Sequence, residues 1–205
     1  MIFTPLLLVA ILTLVFPSGA SAGTQADFGI SIVDGSIRGF HIAVGEYFHV
    51  PEKEVIVIRE RRIPDDEIPV ILFIAQHAHV RPAVVIEYRL RGYSWTKVTL
   101  HFGLTPDIYY VPVREVHGPP YGKAYGHFRK RDRKEWNRIV LDDDDVVNLV
   151  NLRVISERYG YSPDEVIRLR SSGRDFVVIN EEAHRGKGEK HDHGDRGHGK
   201  GHDKD

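Results

Sequence analysis

The sequence predicts a mainly α protein, a compact bundle of short helices built from three related helix–turn–helix units. Three observations carry this expectation. One pattern recurs three times along the chain. Each copy carries helix start and stop signals at matching places. The chain also has no Cys, which rules out disulfides, thiolate metal sites and cysteine nucleophiles, so an apolar core must hold the fold.

The first segment is an export signal. Met1–Ala22 contains no charged side chain, and Leu6–Phe16 is an almost unbroken apolar run of h-region length. Pro17-Ser18-Gly19 then breaks the helix, and Ala20-Ser21-Ala22 supplies the small residues a signal peptidase accepts. Cleavage is expected after Ala22, which places the mature chain in the periplasm or outside the cell. That chain has about 180 residues, a length suited to one domain. It lacks a further apolar run of about 18 residues, so no transmembrane span is expected after cleavage. The formal net charge is −1, and bulk charge points to no polyionic partner.

Next, Phe28–Val33 alternates apolar and small residues and meets Asp34-Gly35, a pattern that predicts a small β-hairpin. The repeat follows. Its copies are Ala43–Arg59, Ile74–Arg89 and Ile155–Arg170. Each has an apolar stretch, a Pro (Pro51, Pro82, Pro163), a Val-Ile pair and an Arg three residues after the Ile (Arg59, Arg89, Arg170). The last two copies extend further, with Gly92, Ser94 and Trp95 matching Gly173, Asp175 and Phe176 at a constant offset of 81.

Local chemistry explains the pattern. Ser162-Pro163-Asp164-Glu165 is a capping box with Pro at the first helical position. Gly92 and Gly173 fall where a helix C-terminus favours a left-handed residue. Pro64–Glu67 and Asp142–Asp145 are acidic helix starts that suit the positive end of the dipole. Helices are therefore predicted near 41–49, 52–61, 65–79, 83–91, 95–103, 143–159, 163–171 and 175–181. Arg59, Arg89 and Arg170 are expected to share a structural role, such as pairing with an acidic helix start.

The stretch 105–139 reads as a long loop. It holds Tyr109 and Tyr110, then Gly118–His127, then the basic run Arg129-Lys130-Arg131-Asp132-Arg133-Lys134. Loops of this length in a compact domain carry function or move. From His184 to Asp205 the chain has only Gly, His, Lys, Arg, Asp and Glu, so this tail is expected to be disordered. The domain reading is 1–22 signal peptide, 23–183 one helical domain and 184–205 tail.

The strings VPEKEVIVIRERRIPDDEIPV, GPPYGKAYG and VNLVNLRVISERYGYSPDEVIRLR, together with the export signal, resemble a group of uncharacterised exported bacterial proteins. The resemblance covers about Phe28–Asn180, and GPPYGKAYG is its most specific part. It implies a helical exported domain, with no activity, cofactor or catalytic residue to carry over.

Two candidate sites follow. Tyr109, Tyr110, Tyr121 and Tyr125 can stack on sugars or bases, and Lys123, Arg129, Lys130, Arg131 and Arg133 can meet anions. Outside the cytoplasm the partner would be an envelope glycan, an anionic lipid or another envelope protein. The plainer alternative is a structural loop wrapped over the helices beside a solvated charge run. The second site is the tail, where His184, His191, His193, His198 and His202 can gather Ni²⁺, Cu²⁺ or Zn²⁺. Its alternative is a solubilising tail that binds metal loosely.

His77-Ala78-His79 does not suit a shared metal, because i and i+2 diverge on a helix. Asp142–Asp145 lacks the spacing and glycine of a calcium loop. The export signal argues against sequence-specific DNA binding, and no G-x-S-x-G, H-E-x-x-H or P-loop signature occurs. The expected function is thus a non-enzymatic envelope scaffold or binding module acting through the Tyr/Gly/basic loop. The alternative is a metal-binding or metal-buffering protein acting through the tail.

Overall fold

The computed structural model describes the backbone of residues 24–116 and 118–194, and the side chains of 34–116 and 118–186. The expected signal peptide lies outside the described residues. Among the described residues nine α-helices form: α1 (Thr24–Phe48), α2 (Glu52–Glu60), α3 (Ile68–Ala78), α4 (Pro82–Leu90), α5 (Trp95–His101), α6 (Gly122–Arg129), α7 (Asp143–Tyr159), α8 (Pro163–Ser171) and α9 (Phe176–Gly194). Short 3₁₀ turns occupy Asp65–Glu67, Pro106–Tyr109 and Arg133–Arg138. The fold is mainly α, with no strand among the described residues. No helix among them is long and apolar enough to cross a membrane.

Two helices form the centre. Every residue of α3 from Ile68 to Ala75 is buried, the pattern of a helix enclosed on all sides. Helix α7 packs on α3 and buries twelve of its seventeen residues. Around this pair, α1 packs on α2, α3, α7 and α9, while α4 lies on α3 and α8 on α7. Burying one large aliphatic side chain contributes about 1.5–3 kcal/mol. The buried Ile68, Ile71, Ile74, Leu149 and Ile155 of α3 and α7 therefore contribute substantially to the stability of the bundle.

The helix boundaries follow the chemistry of the ends. Asp142 caps α7, accepting from the Asp145 N–H at 2.9 Å, while the Asp145 carboxylate accepts the Asp142 N–H. Ser162 and Glu165 make the same reciprocal pair at α8. Pro82 and Pro163 stand at the first helical position of α4 and α8, whereas Pro51 stands one place earlier, at the cap of α2.

Helices α2, α4 and α8 each have nine residues. Each is preceded by a left-handed residue, His49, His79 or Gly160, with φ of 56°, 55° and 73°. Each is followed by another, Arg62, Gly92 or Gly173, with φ of 62°, 82° and 93°. His49, His79 and Arg62 accept a strained conformation that glycine adopts freely.

Two expectations change. Phe28–Val33 lies within α1 and forms no hairpin. The contacts of α1 with α2, α3, α7 and α9 outweigh the poor helix propensity of its glycines. The stretch 105–139 contains two 3₁₀ turns and α6, because its aromatic residues bury themselves (below). Helix α9 carries the backbone to Gly194, and the rest of the expected tail lies outside the described residues. Buried Ile179 and Ala183 anchor the first turns of α9, and an i,i+4 Glu181–Arg185 ion pair at 3.5 Å supports the next.

Candidate functional site

The segment 105–139 is attached to the helices by its own tyrosines. Tyr109 is fully buried, stacks on Phe73 at 5.5 Å and shares a 2.5 Å hydroxyl contact with Thr99. Tyr121 is fully buried, with its hydroxyl 3.5 Å from the Asn148 carbonyl. Tyr125 is buried and donates to the Val111 carbonyl at 2.8 Å. Burial in apolar surroundings pushes the pKa of all three phenols well above the ordinary tyrosine value. These three rings are therefore core elements, and their faces are closed to a stacking ligand. Tyr110, half-buried, joins an aromatic cluster with Phe128 at 5.1 Å and Trp136 at 4.5 Å.

The cations of this segment stay outside. Arg129, Lys130, Arg131 and Arg133 are exposed. The chain turns around Trp136, whose indole N–H donates to the Phe128 and Arg131 carbonyls at 3.0 and 3.2 Å. Arg133 lies over the Trp136 ring at 5.4 Å. Arg129, Lys130 and Arg131 make no ion pair among the described residues. Lys123 differs, because its ammonium is bonded to Asp142, which raises the lysine pKa. On the same face, burial and then the charges of Arg131 and Lys123 hold His127 below the usual imidazole value.

Behind this face lies a cleft of about 650 Å³, between the Gly118-Pro119-Pro120 turn and the start of α7, with Asp66, Asn148 and Arg170 at its wall. Gly118 is left-handed at φ 72°, and its carbonyl accepts the Gly122 N–H at 2.7 Å, which closes the turn into α6. The start of α7 is committed to structure. Asp143 accepts from the Trp95 N–H at 2.7 Å and from Arg89 at 2.5 Å. Burial, then the neighbouring Asp142 charge, pushes the Asp145 carboxyl up to about 6. Asp142 moves the other way: burial opposes its ionisation, but the bonds from Lys123 and the Asp145 backbone prevail and lower its pKa. Asp66 is raised by burial and by Glu67.

The expected role of the repeated arginines appears in distinct forms. Arg89 pairs with Glu67 through both Nε, at 2.9 Å, and Nη2, and with Asp143 through Nη1. Arg59 reaches Asp65 at 3.5 Å from an exposed position. Arg170 donates to the amide oxygen of Asn148 at 3.1 Å and to the Arg174 carbonyl at 2.9 Å. Sequence reasoning missed Asp66, Asn148 and Arg170 as cleft residues. The offset of 81 that links Arg89 to Arg170 also links Glu67 to Asn148, and it was the available signal.

Of the tail histidines, His184 is exposed and faces the Tyr159 ring edge-on at 6.4 Å. The side chains of His191 and His193, and all of His198 and His202, lie outside the described residues. Among those described, no group of three His, Asp or Glu side chains is arranged to hold a metal. His77 uses Nδ1 to donate to the Phe73 carbonyl at 2.8 Å. Comparison with known proteins finds no matching family model, no similar curated protein and no similar solved structure.

Proposed function

We propose that the chain is an exported, non-enzymatic binding module of the cell envelope. It meets an anionic partner, such as a glycan or a lipid headgroup, through the basic face that follows the GPPYGKAYG segment. One observation carries this reading: the tyrosines of the segment are anchored in the core while Arg129, Lys130, Arg131 and Arg133 remain exposed. Cations fixed on an ordered frame attract an anionic surface without first having to be ordered, and salt screens the attraction.

The test compares the full chain with the Arg129→Gln, Lys130→Gln, Arg131→Gln, Arg133→Gln variant. Retention on phosphatidylglycerol vesicles and on isolated envelope glycan is measured at 50 and 300 mM salt. At least a tenfold loss is expected for the variant on one of the two anions. Equal retention of both proteins on both would overturn the reading. Export is tested separately, by the N-terminal sequence of the protein recovered outside the cytoplasm, which is expected to begin at Gly23.

The proposed architecture is three related helix–turn–helix units. Its support is the equal length of α2, α4 and α8 and the left-handed residues that bracket each of them. Trp95 and Phe176, under Arg89 and Arg170 at 4.5 and 4.9 Å, add to it for the last two units.

A further inference from the structure

The cleft behind the basic face contains an imbalance that the repeat makes visible. Arg89 and Arg170 occupy matching positions, each bonded to the carbonyl four residues ahead and each lying over an aromatic ring. Arg89 is neutralised by Glu67 and Asp143. At Arg170 the matching partner is Asn148, a neutral amide that accepts one hydrogen bond and brings no charge. Arg170 makes no ion pair among the described residues, and it lines a cleft of about 650 Å³.

Opposite charge stands in the same cleft. Asp66 lines it, is half-buried and makes no ion pair among the described residues. It is near enough to Arg170 to feel the guanidinium charge, yet the two do not close on each other. Of the other cleft carboxylates, Asp142 holds Lys123 and Asp145 completes the cap of α7, while Asp144 lines the cleft from an exposed position. A separated, half-buried pair of opposite charges suits a ligand that carries both charges. It does not suit an apolar ligand, whose burial would strip water from both groups and return nothing. The volume fits a small molecule.

We propose that this cleft binds a small zwitterion bearing a carboxylate and an ammonium group, as an amino acid or short peptide does, with the carboxylate on Arg170 and the ammonium on Asp66. The guanidinium presents paired N–H donors to the carboxylate. Burial raises the pKa of the Asp66 carboxyl, and an ammonium beside it favours the charged form. Arg129 of the basic face also lines the cleft, but the Arg170–Asp66 assignment does not depend on the basic-face reading.

The test titrates the full chain with glycine, diglycine and triglycine by calorimetry and by amide chemical shifts. Acetylglycine, which lacks the ammonium, and glycinamide, which lacks the carboxylate, are the controls. Saturable binding is expected for at least one zwitterion, with each control at least tenfold weaker. Arg170→Gln and Asp66→Asn are each expected to weaken binding at least tenfold, while Lys130→Gln, Arg131→Gln, Arg133→Gln leaves it unchanged. Asp66→Asn keeps the test decisive if Arg170→Gln fails to fold, since Asp66 has no ion pair to lose among the described residues. The proposal is overturned if no zwitterion binds, if either control binds as well, or if Asp66→Asn binds like the parent. Loss of vesicle or glycan retention with intact diglycine binding would separate the two sites.

Discussion

Arg170 repeats the contacts of Arg89 at an offset of 81 residues, with Asn148 standing where Arg89 meets Glu67. The two arginines should therefore differ in what their loss costs. Arg89→Gln leaves Glu67, which is 13% exposed, without its cation. Removing one partner of such a pair costs about 3 kcal/mol. Arg170→Gln loses hydrogen bonds to neutral acceptors, at about 1 kcal/mol each. Urea denaturation of the two variants should place the Arg89 midpoint clearly below that of Arg170. The reverse order would remove the special status of the Glu67–Arg89–Asp143 cluster.

The left-handed positions offer a gain. Arg62 occupies, at φ 62°, the place that Gly92 and Gly173 hold in the matching turns. A left-handed conformation costs a non-glycine residue about 1–2 kcal/mol. Glycine's greater freedom in the unfolded chain offsets part of this. Arg62→Gly is expected to raise the melting temperature by a few degrees, and Gly92→Ala to lower it. Calorimetric melts of both variants check the pair of signs.

Tyr121 separates packing from binding. Tyr121→Phe loses only a long hydroxyl contact, at 3.5 Å, and should be close to neutral. Tyr121→Ala empties a fully buried site and should cost about 3–5 kcal/mol, the range of a deleted core aromatic. If Tyr121→Phe also lost stability on that scale, the ring would not be the anchor of the segment.

The start of α7 should respond to pH. Asp145 has a folded pKa of about 6, raised from its ordinary value of 3.8. Its contribution to stability is fully present below 3.8 and is lost as pH rises toward and through 6. Asp142 has a lowered pKa, so its contribution is present at neutral pH and lost as pH falls through the folded value. Asp145→Asn should flatten the fall between pH 4 and 6 in unfolding free energy measured by urea titration. An unchanged slope in that window would show that the Asp145 carboxyl is not held neutral.

Much of the bundle was legible in local chemistry. The Asp142 and Ser162 caps, Pro82, Pro163, Gly92 and Gly173 mark helix ends by interactions within a few residues. The bounds of α2, α4, α7 and α8 accordingly fell within a residue or two of expectation. The N-terminal hairpin was misread because the alternation in Phe28–Val33 before Asp34-Gly35 has the pattern of a strand and turn, and the packing that holds α1 comes from residues far along the chain. The order in 105–139 was hidden for a similar reason. Tyr110, Phe128 and Trp136 pack on one another without a helical period to announce it.

The cleft was the least legible part. Asp66, Asn148 and Arg170 are separated in the sequence; Asp66 reads as part of an acidic helix start and Arg170 as the arginine of the repeat, and neither pattern brings them into one cleft. Of the residues expected to form a contact surface, the cations stayed at the surface, while Tyr109, Tyr121 and Tyr125 entered the core. An aromatic ring in a glycine-rich segment has the same composition whether it faces solvent or a neighbouring helix.

The buried tyrosines also bear on how the protein must fold and how it can vary. Tyr109 and Tyr121 join the middle of the chain to residues on α3, α5 and α7, and Tyr125 ties the segment to itself at Val111, so segment 105–139 is a structural keystone rather than an appendage. Shortening it would expose the flank of α7 and unseat the bundle. Divergence among sequences that share this fold should concentrate in the outward cations and spare the three rings.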